Sequence, residues 1–421
     1  MSGGERNEAY DVAIIGAGAA GLAAAIFTAR RLPSARIVAL EGAKKLGAKI
    51  LVSGGGRCNV TNVCVGPRDF FGGSRNVVKR VLAALSADET VKFFRELGVG
   101  LHVEEHGKFF PDSNSAKSVL QALIRESARL GVTILTERRV TDIQHQGDLF
   151  QTGWSGGEVT AKCVVLATGG RSLPKTGSDG TGYELAQRLG HTLTPTTPGL
   201  VPLILDGDFH VPLSGVSHEV ELTVAVEGEP PVAIRGALLW THFGISGPAV
   251  LDASRHWERA RLEAREVVLA VNFLPGEELG SVERKFLSMV ADQPRMILRN
   301  ALAALIPASV AAALLAALRI DARTVIAHLD RATRRRLIHA MLCWPLPVSG
   351  GRGYGFAEVT AGGVRLDEMD PATMESRKCP GLYLVGEVLD VDGRIGGFNF
   401  QWAWSSAFVA ANGLASDRRL A

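Results

Sequence analysis

Cysteine is scarce and scattered. The five thiols, Cys58, Cys64, Cys163, Cys343 and Cys379, are odd in number and contain no Cys-x-x-Cys pair. That excludes a disulfide framework and supplies no metal-ligand spacing. Net charge is low too. A balance of +3 over 421 residues is too small to imply a nucleic-acid partner, and no stripe of basic and aromatic residues runs along the chain. The one basic run, Arg334-Arg335-Arg336, reads as the solvated face of a helix. Long apolar runs are missing. The longest, Ile306 to Leu318, contains Pro307 and falls short of the ~20 residues a bilayer span needs. Met1 to Tyr10 is polar, without the apolar core of a secretory signal. What these absences leave is a soluble, cytoplasmic protein with no membrane partner, and nothing that fixes its oligomeric state. Its composition, 46% hydrophobic and 21% charged, is ordinary for a globular chain, and its length calls for two or three domains.

Glycine, by contrast, is plentiful, and its placement is informative. Val12-Ala13-Ile14-Ile15 is a run of strand length. Gly16-Ala17-Gly18-Ala19-Ala20-Gly21 follows at once, then an alanine-rich helical stretch that Pro33 stops, then a second strand, Arg36 to Leu40, ending at Glu41. Strand, glycine turn, helix, strand and acid is the order of a dinucleotide-binding unit. Gly16 allows the tight turn, Gly18 lets backbone approach a pyrophosphate, and Gly21 lets helix pack on strand. Ala19 and Ala20 lie in the turn, and the N-terminal N–H groups of the helix that follows favour phosphate. Glu41 is placed to accept from ribose hydroxyls and would repel a ribose 2′-phosphate, which favours FAD or NAD over NADP.

A second glycine cluster follows, Ser53-Gly54-Gly55-Gly56-Arg57-Cys58-Asn59. Three glycines expose successive N–H groups. Arg57 and Lys49 are candidates to neutralise phosphate, and Asn59 can bond carbonyls and N–H groups alike. The alternative is a flexible surface loop. Cys58 is either redox-active beside a cofactor or, more simply, a small residue packed where a thiol fits.

Ser53 to Asn62 (SGGGRCNVTN) resembles the signature of the BaiN/YhiN-type flavoproteins, also called the aminoacetone-oxidase family. Further matches are Gly107 to Pro111 (GKFFP), Thr241 to Pro248 (THFGISGP) and Gly386 to Gly393 (GEVLDVDG) with the following Gly396-Gly397-Phe398-Asn399. The resemblance covers nearly the whole chain. It departs at Ala48, where relatives usually carry arginine, and at Phe398 and Phe400, where tyrosine and leucine are frequent.

It implies an α/β fold: a two-dinucleotide-type, Rossmann-like FAD domain built from both chain ends and interrupted by a β-rich domain that carries a helical subdomain. The expected segments are 1–194 and 353–421 for the FAD domain, 195–275 and 343–352 for the β-rich domain, and 276–342 for the helices. It also implies that backbone groups of Val140 meet the adenine. Ala161 to Gly170 is a buried strand ending in the turn Thr168-Gly169-Gly170. Gly381 to Gly393 reads as another strand that runs through Gly386 and carries the acids Glu387, Asp390 and Asp392 at its end, an acid there being suited to ribityl hydroxyls. Gly397, Phe398 and Asn399 open an apolar helix whose N-terminus would favour an anionic reduced flavin. Metal binding by Glu387, Asp390 and Asp392 is the rival reading. His242 is the obvious proton donor of its loop, although a lone histidine is often structural.

The expected cofactor is non-covalent FAD, since no histidine or cysteine demands a flavin link, with NAD(P)H as a transient co-substrate. The expected reaction is reduction of an activated C=C bond in a small molecule. An oxidase of an amine or alcohol is the second reading, and a flavin-binding regulatory or RNA-associated protein the third.

Overall fold

A computed structural model describes residues 8–420; Met1 to Asn7, part of the polar N-terminal stretch, and Ala421 lie outside it. The chain divides into two compact units, residues 8–196 with 358–420, and Thr197–Ala357.

The first unit is organised on a parallel sheet. Its strands run in the order Thr133–Leu135, Ile37–Leu40, Glu8–Ile15, Gly157–Leu166, with Leu382–Leu384 beyond. Gly157–Leu166 is long enough to take two neighbours on one edge. Its first half pairs antiparallel with Leu149–Trp154, and its last three residues pair parallel with Leu382–Leu384. Register sets the chemistry: Ile15 lies opposite both Leu40 and Leu166. Gly16, Glu41 and Ala167 therefore leave the sheet together at its carboxyl edge, where open α/β sheets bind ligands.

The helix Ala19–Arg31 is buried along its whole face from Ala20 to Ala29. It lies between the sheet and a second small-residue helix, Phe398–Ala415. Phe27 meets Phe408 edge-on at 5.2 Å, and Arg31 Nε donates to Asn412 Oδ1 at 2.5 Å. The two chain ends are further joined at His191, fully buried between Glu368 (2.8 Å) and Ser376 (2.9 Å).

The strand expected over Gly381 to Gly393 is broken. Leu382–Leu384 ends at the sheet edge, Gly386 takes φ +74°, and Gly386–Val388 forms a 3-10 turn before the separate strand Val391–Gly393. The break turns the acids apart: Asp390 accepts from Thr194 Oγ1 at 2.7 Å, while Glu387 lies beside the turn Thr168–Gly170.

The second unit holds a seven-stranded antiparallel sheet. Its order is Trp344–Leu346, Val267–Asn272, Ser217–Val226, Val232–Thr241, Gly244–Ser246, Leu203–Leu205 and Val348–Gly351. The outermost strands are separated in sequence by Pro347 alone, so a single residue joins one edge of the sheet to the other. The helices Leu279–Asp292, Leu298–Ala303, Ala308–Ala317 and Arg331–Leu342 have no core of their own. Leu298, Leu314, Leu337 and Met341 pack in one cluster with Leu222, Trp240, Trp257 and Val271 from the sheet side. Arg334, in the basic run, pairs with Glu283 at 3.4 Å. Among the described residues no helix is long and apolar enough to cross a membrane.

Candidate functional site

The first glycine turn is shaped by contacts that exclude a Cβ. Gly16 has φ +98°, and a Cβ there would lie 2.6 Å from Ala167 O; at Gly21 it would lie 1.9 Å from Gly16 O. Gly18 differs. No heavy atom lies within 4 Å of its Cβ position, so the space in front of the helix is open. Gly18 is also the N-cap of Ala19–Arg31, and no side chain caps that terminus. Unsatisfied N–H groups beside free space form a phosphate cradle.

Glu41 sits at the same edge. Its carboxylate accepts from Ala17 N and Ala43 N, both at 2.9 Å. It thus braces the glycine turn, and a carboxylate with about four acceptor positions retains others for ribose hydroxyls. Val140 is buried at the start of its strand. Its neighbour Arg139, unremarked in the sequence, bonds Asp179 at 2.7 Å and lies against Gly42.

The structure places several predicted residues against protein groups. Lys49 forms an ion pair with Glu387. The other carboxylate oxygen of Glu387 accepts from Ser172 Oγ and Thr360 N, each at 2.9 Å. Neither Ser172 nor Thr360 stands in a sequence motif that signals this role. Arg57 pairs with Glu104 at 2.6 Å and stacks 4.0 Å over Phe110. Ser53 Oγ donates to Ile50 O at 2.8 Å.

In the second glycine cluster, Gly54, Gly55 and Gly56 all take positive φ, as does Cys58 at +64°. Cys58 is fully buried, and burial pushes its thiol up to about 12. A neutral, packed thiol fits the simpler reading of that residue.

The C-terminal helix closes the arrangement. Gly397, with φ +95°, is its N-cap and again has no capping side chain. A Cβ at Gly397 would meet Thr61 O at 2.5 Å and Asn59 Oδ1 at 2.7 Å. Asn399 braces the preceding turn, accepting from Gly393 N at 2.8 Å and donating to Gly393 O at 2.9 Å. Phe398 is buried edge-on to Phe70, and Asp392 lies buried in a strand paired with Phe70–Gly72. Trp404 Nε1 donates to Val60 O at 2.9 Å, Trp402 Nε1 to Gly386 O at 3.1 Å, and Gln401 accepts from Thr61 Oγ1 at 2.6 Å. Together these bonds fasten the helix to the segment that follows the second glycine cluster and to the turn at Gly386.

Asn59 Oδ1 and Thr168 Oγ1 are buried without a hydrogen-bond partner. Such atoms call for a missing partner. Thr168 leads into Gly169, whose φ is +71°. Two uncapped helix N-termini, an open cradle and orphaned polar atoms fit a dinucleotide carrying a second ring system, as FAD does.

Over residues 10–413 the sequence matches the family model described as the HI0933-like protein Rossmann domain. The chain belongs to the HI0933-like family. It is 35% identical over 404 residues to a 3-dehydro-bile acid delta(4,6)-reductase of Clostridium scindens, covering 96% of this chain and 98% of the relative. It is 34% identical over 415 residues to a ribosomal RNA dihydrouridine synthase of Escherichia coli, covering 98% and 99%. A Haemophilus influenzae protein of the same name is 35% identical, covering 94% of this chain and 96% of the relative. The FrdA chain of E. coli quinol fumarate reductase shares the fold at 15% identity, with a TM-score of 0.50 over 98% of this chain and 70% of the other. This HI0933-like protein is an FAD-dependent oxidoreductase with a Rossmann-like FAD domain.

His242 belongs to the second unit. It is exposed on the turn between Val232–Thr241 and Gly244–Ser246, with its ring edge-on to Phe243 at 5.1 Å.

Proposed function

We propose that this enzyme uses NAD(P)H to reduce a C=C bond conjugated with a carbonyl group. One observation carries the reading. Relatives matched along nearly their whole length bear two different names, yet both names describe the same bond change. A 3-dehydro bile acid has its delta-4,6 double bonds conjugated with the 3-carbonyl, and the C5=C6 bond of uridine is conjugated with its C4 carbonyl. Saturating a bond so conjugated takes hydride at its carbon farther from the carbonyl and a proton at the nearer one.

FAD, when bound, supplies the hydride. The chain's own residues bind and orient it: the Gly16–Gly21 turn takes the pyrophosphate, Glu41 the adenosine ribose, and Val140 the adenine. Lys49, Ser172 and Thr360 fix Glu387 beside the turn Thr168–Gly170. The uncapped N-terminus at Gly397 favours negative charge on the pyrimidine end of the ring. His242 is the residue we assign to protonating the α-carbon.

A small enone is the substrate class this reading takes first. The dihydrouridine synthase names support a second, uridine within ribosomal RNA. Anaerobic mixing with NADH or NADPH should bleach the bound flavin, and an enone should restore its colour faster than air does. Recovery by uridine-containing ribosomal RNA and not by enones would move the substrate to the second class. Flavin that ignores nicotinamides but is bleached by a small amine or alcohol, with peroxide formed on admitting oxygen, would replace the reductase by an oxidase.

A further inference from the structure

The helical part of the second unit is lopsided in charge. From Leu298 to Leu342 it carries seven arginines, no lysine and two acids, Asp321 and Asp330, whereas the whole chain is nearly balanced at +3. Along the chain only Arg334-Arg335-Arg336 stands out as a basic run, and it reads as a solvated face. The fold splits that run. Arg334 and Arg335 turn to Glu283, at 3.4 and 4.0 Å. The Arg336 guanidinium donates instead to Leu318 O at 3.2 Å, at the end of the helix Ala308–Ala317.

That bond brings Arg336 to the loop 318–324, which carries two more arginines. Arg319, next to Leu318, takes φ +55°. At the other end of the loop Arg299 N donates to Ala322 O at 3.1 Å and Leu298 N to Thr324 O at 2.8 Å, which sets Arg299 beside Arg323. All four arginines are exposed. Among the described residues, the guanidinium groups of Arg299 and Arg319 have no carboxylate partner. The two acids are engaged locally: Asp321 accepts from Arg323 N and Asp330 from Thr333 N, each at 2.9 Å. Asp321 meets Arg323 Nε only at 3.6 Å, with both side chains mostly in water, where such a pair is heavily screened.

Arg336 has a structural duty, since a cation suits a helix C-terminus. That duty explains none of Arg299, Arg319 and Arg323. Like charges gathered on one loop repel one another unless an anion joins them. The chemistry of the patch narrows the anion. Guanidinium forks match phosphate oxygens two at a time. A membrane surface or a protein partner calls for apolar side chains among the cations. Among the described residues, no exposed large hydrophobic lies between Leu298 and Leu342; Leu279 and Leu287 precede the patch.

We propose that Arg299, Arg319, Arg323 and Arg336 form a surface that binds the phosphate backbone of RNA. The identity of the polyanion rests on the second substrate class above, uridine within ribosomal RNA, while the place of the surface rests on charge and geometry. Phosphate contacts of this kind position a nucleic acid without reading its sequence.

The test follows the fluorescence anisotropy of a fluorescein-labelled RNA hairpin with uridines in its loop, titrated with FAD-loaded protein at several KCl concentrations. One variant combines Arg299→Gln, Arg319→Gln and Arg323→Gln, leaving Arg336 on its helix end. A control combines Lys92→Gln, Arg95→Gln and Arg125→Gln, which removes as much charge from exposed helix positions of the first unit. The patch variant should bind at least ~10-fold more weakly than wild type at ~100 mM salt, and its slope of log affinity against log salt should be shallower by ~2–3. The control should keep the wild-type slope, and lysine at the same three patch positions should restore much of the affinity. The patch variant should also hold full flavin and melt no lower than wild type, which separates lost recognition from misfolding. Wild type that ignores the hairpin, equal losses in patch and control variants, or no loss in either would overturn the proposal. So would binding to phosphatidylserine vesicles, but not to RNA, through the three arginines. RNA held through the patch that fails to reoxidise the reduced flavin would keep the surface and sink the second substrate class.

Discussion

Lys49 and Glu387 are 338 residues apart in the chain, yet their side chains form an ion pair beside the glycine turns of the FAD domain. Both groups are largely shielded from water, and Glu387 has further donors in Ser172 and Thr360. Lys49→Met would leave a part-buried carboxylate without its cation, which costs more than losing an exposed pair. The variant should lose ~1–3 kcal/mol of stability, read from denaturant midpoints of the apoprotein. Lys49→Arg should restore part of it. Equal midpoints for Lys49→Met and wild type would mean that the pair contributes nothing.

Gly18 and Gly21 should separate folding from cofactor binding. Gly18→Val meets no protein atom, so its apoprotein should melt within a few degrees of wild type while binding little or no FAD. Gly21→Val would drive a side chain into Gly16 O and should fail to fold stably. Flavin absorbance alongside circular-dichroism melting distinguishes the two, and full flavination of Gly18→Val would contradict the cradle.

Glu41→Ala should weaken FAD affinity by roughly 10–100-fold. It removes both a ribose acceptor and the brace on Ala17 N and Ala43 N, the loss expected for charge-assisted hydrogen bonds. Flavin-fluorescence titration measures this directly. Affinity within a factor of two of wild type would show that Glu41 does not hold the ribose.

Thiol reactivity should follow burial. Cys64 and Cys343 are exposed, whereas Cys58, Cys163 and Cys379 are buried, with their thiols raised by desolvation. A thiol reagent at neutral pH should titrate two groups in the native protein and five after denaturation. Rapid labelling of Cys58 would reopen a redox role for it.

Glu258 carries the pH prediction. Burial raises its carboxyl from the ordinary 4.5 to about 7. Between those values the folded state holds a proton that the unfolded state releases. Its contribution is therefore fully present below pH 4.5 and is lost as pH rises through about 7. Glu258→Gln should remove that loss, melting above wild type at alkaline pH and losing its advantage in acid. Parallel curves for the two proteins would mean that Glu258 ionises normally.

How much of this was legible beforehand depends on the range over which each feature is encoded. The Gly16–Gly21 turn and Glu41 were readable because a tight turn, a close approach and a helix start each demand a residue type at a fixed local spacing. The strand–helix–strand order of the nucleotide unit followed from the same short-range pattern, although its first strand, read over Val12–Ile15, begins at Glu8. The interruption of Gly381 to Gly393 escaped that reading, because apolar residues run through it and the positive φ of Gly386 breaks the strand.

The amino-acid sequence alone determined the dinucleotide turn, the FAD family and the backbone positions that must be glycine, since each is set by local sterics and short-range pattern. Tertiary structure alone decided which cation Glu387 binds, that Arg57 turns to Glu104, and that the strands on either side of Pro347 stand at opposite edges of the second sheet. Those features depend on which side chains from distant segments reach the same few ångströms, and no periodicity along the chain records that choice.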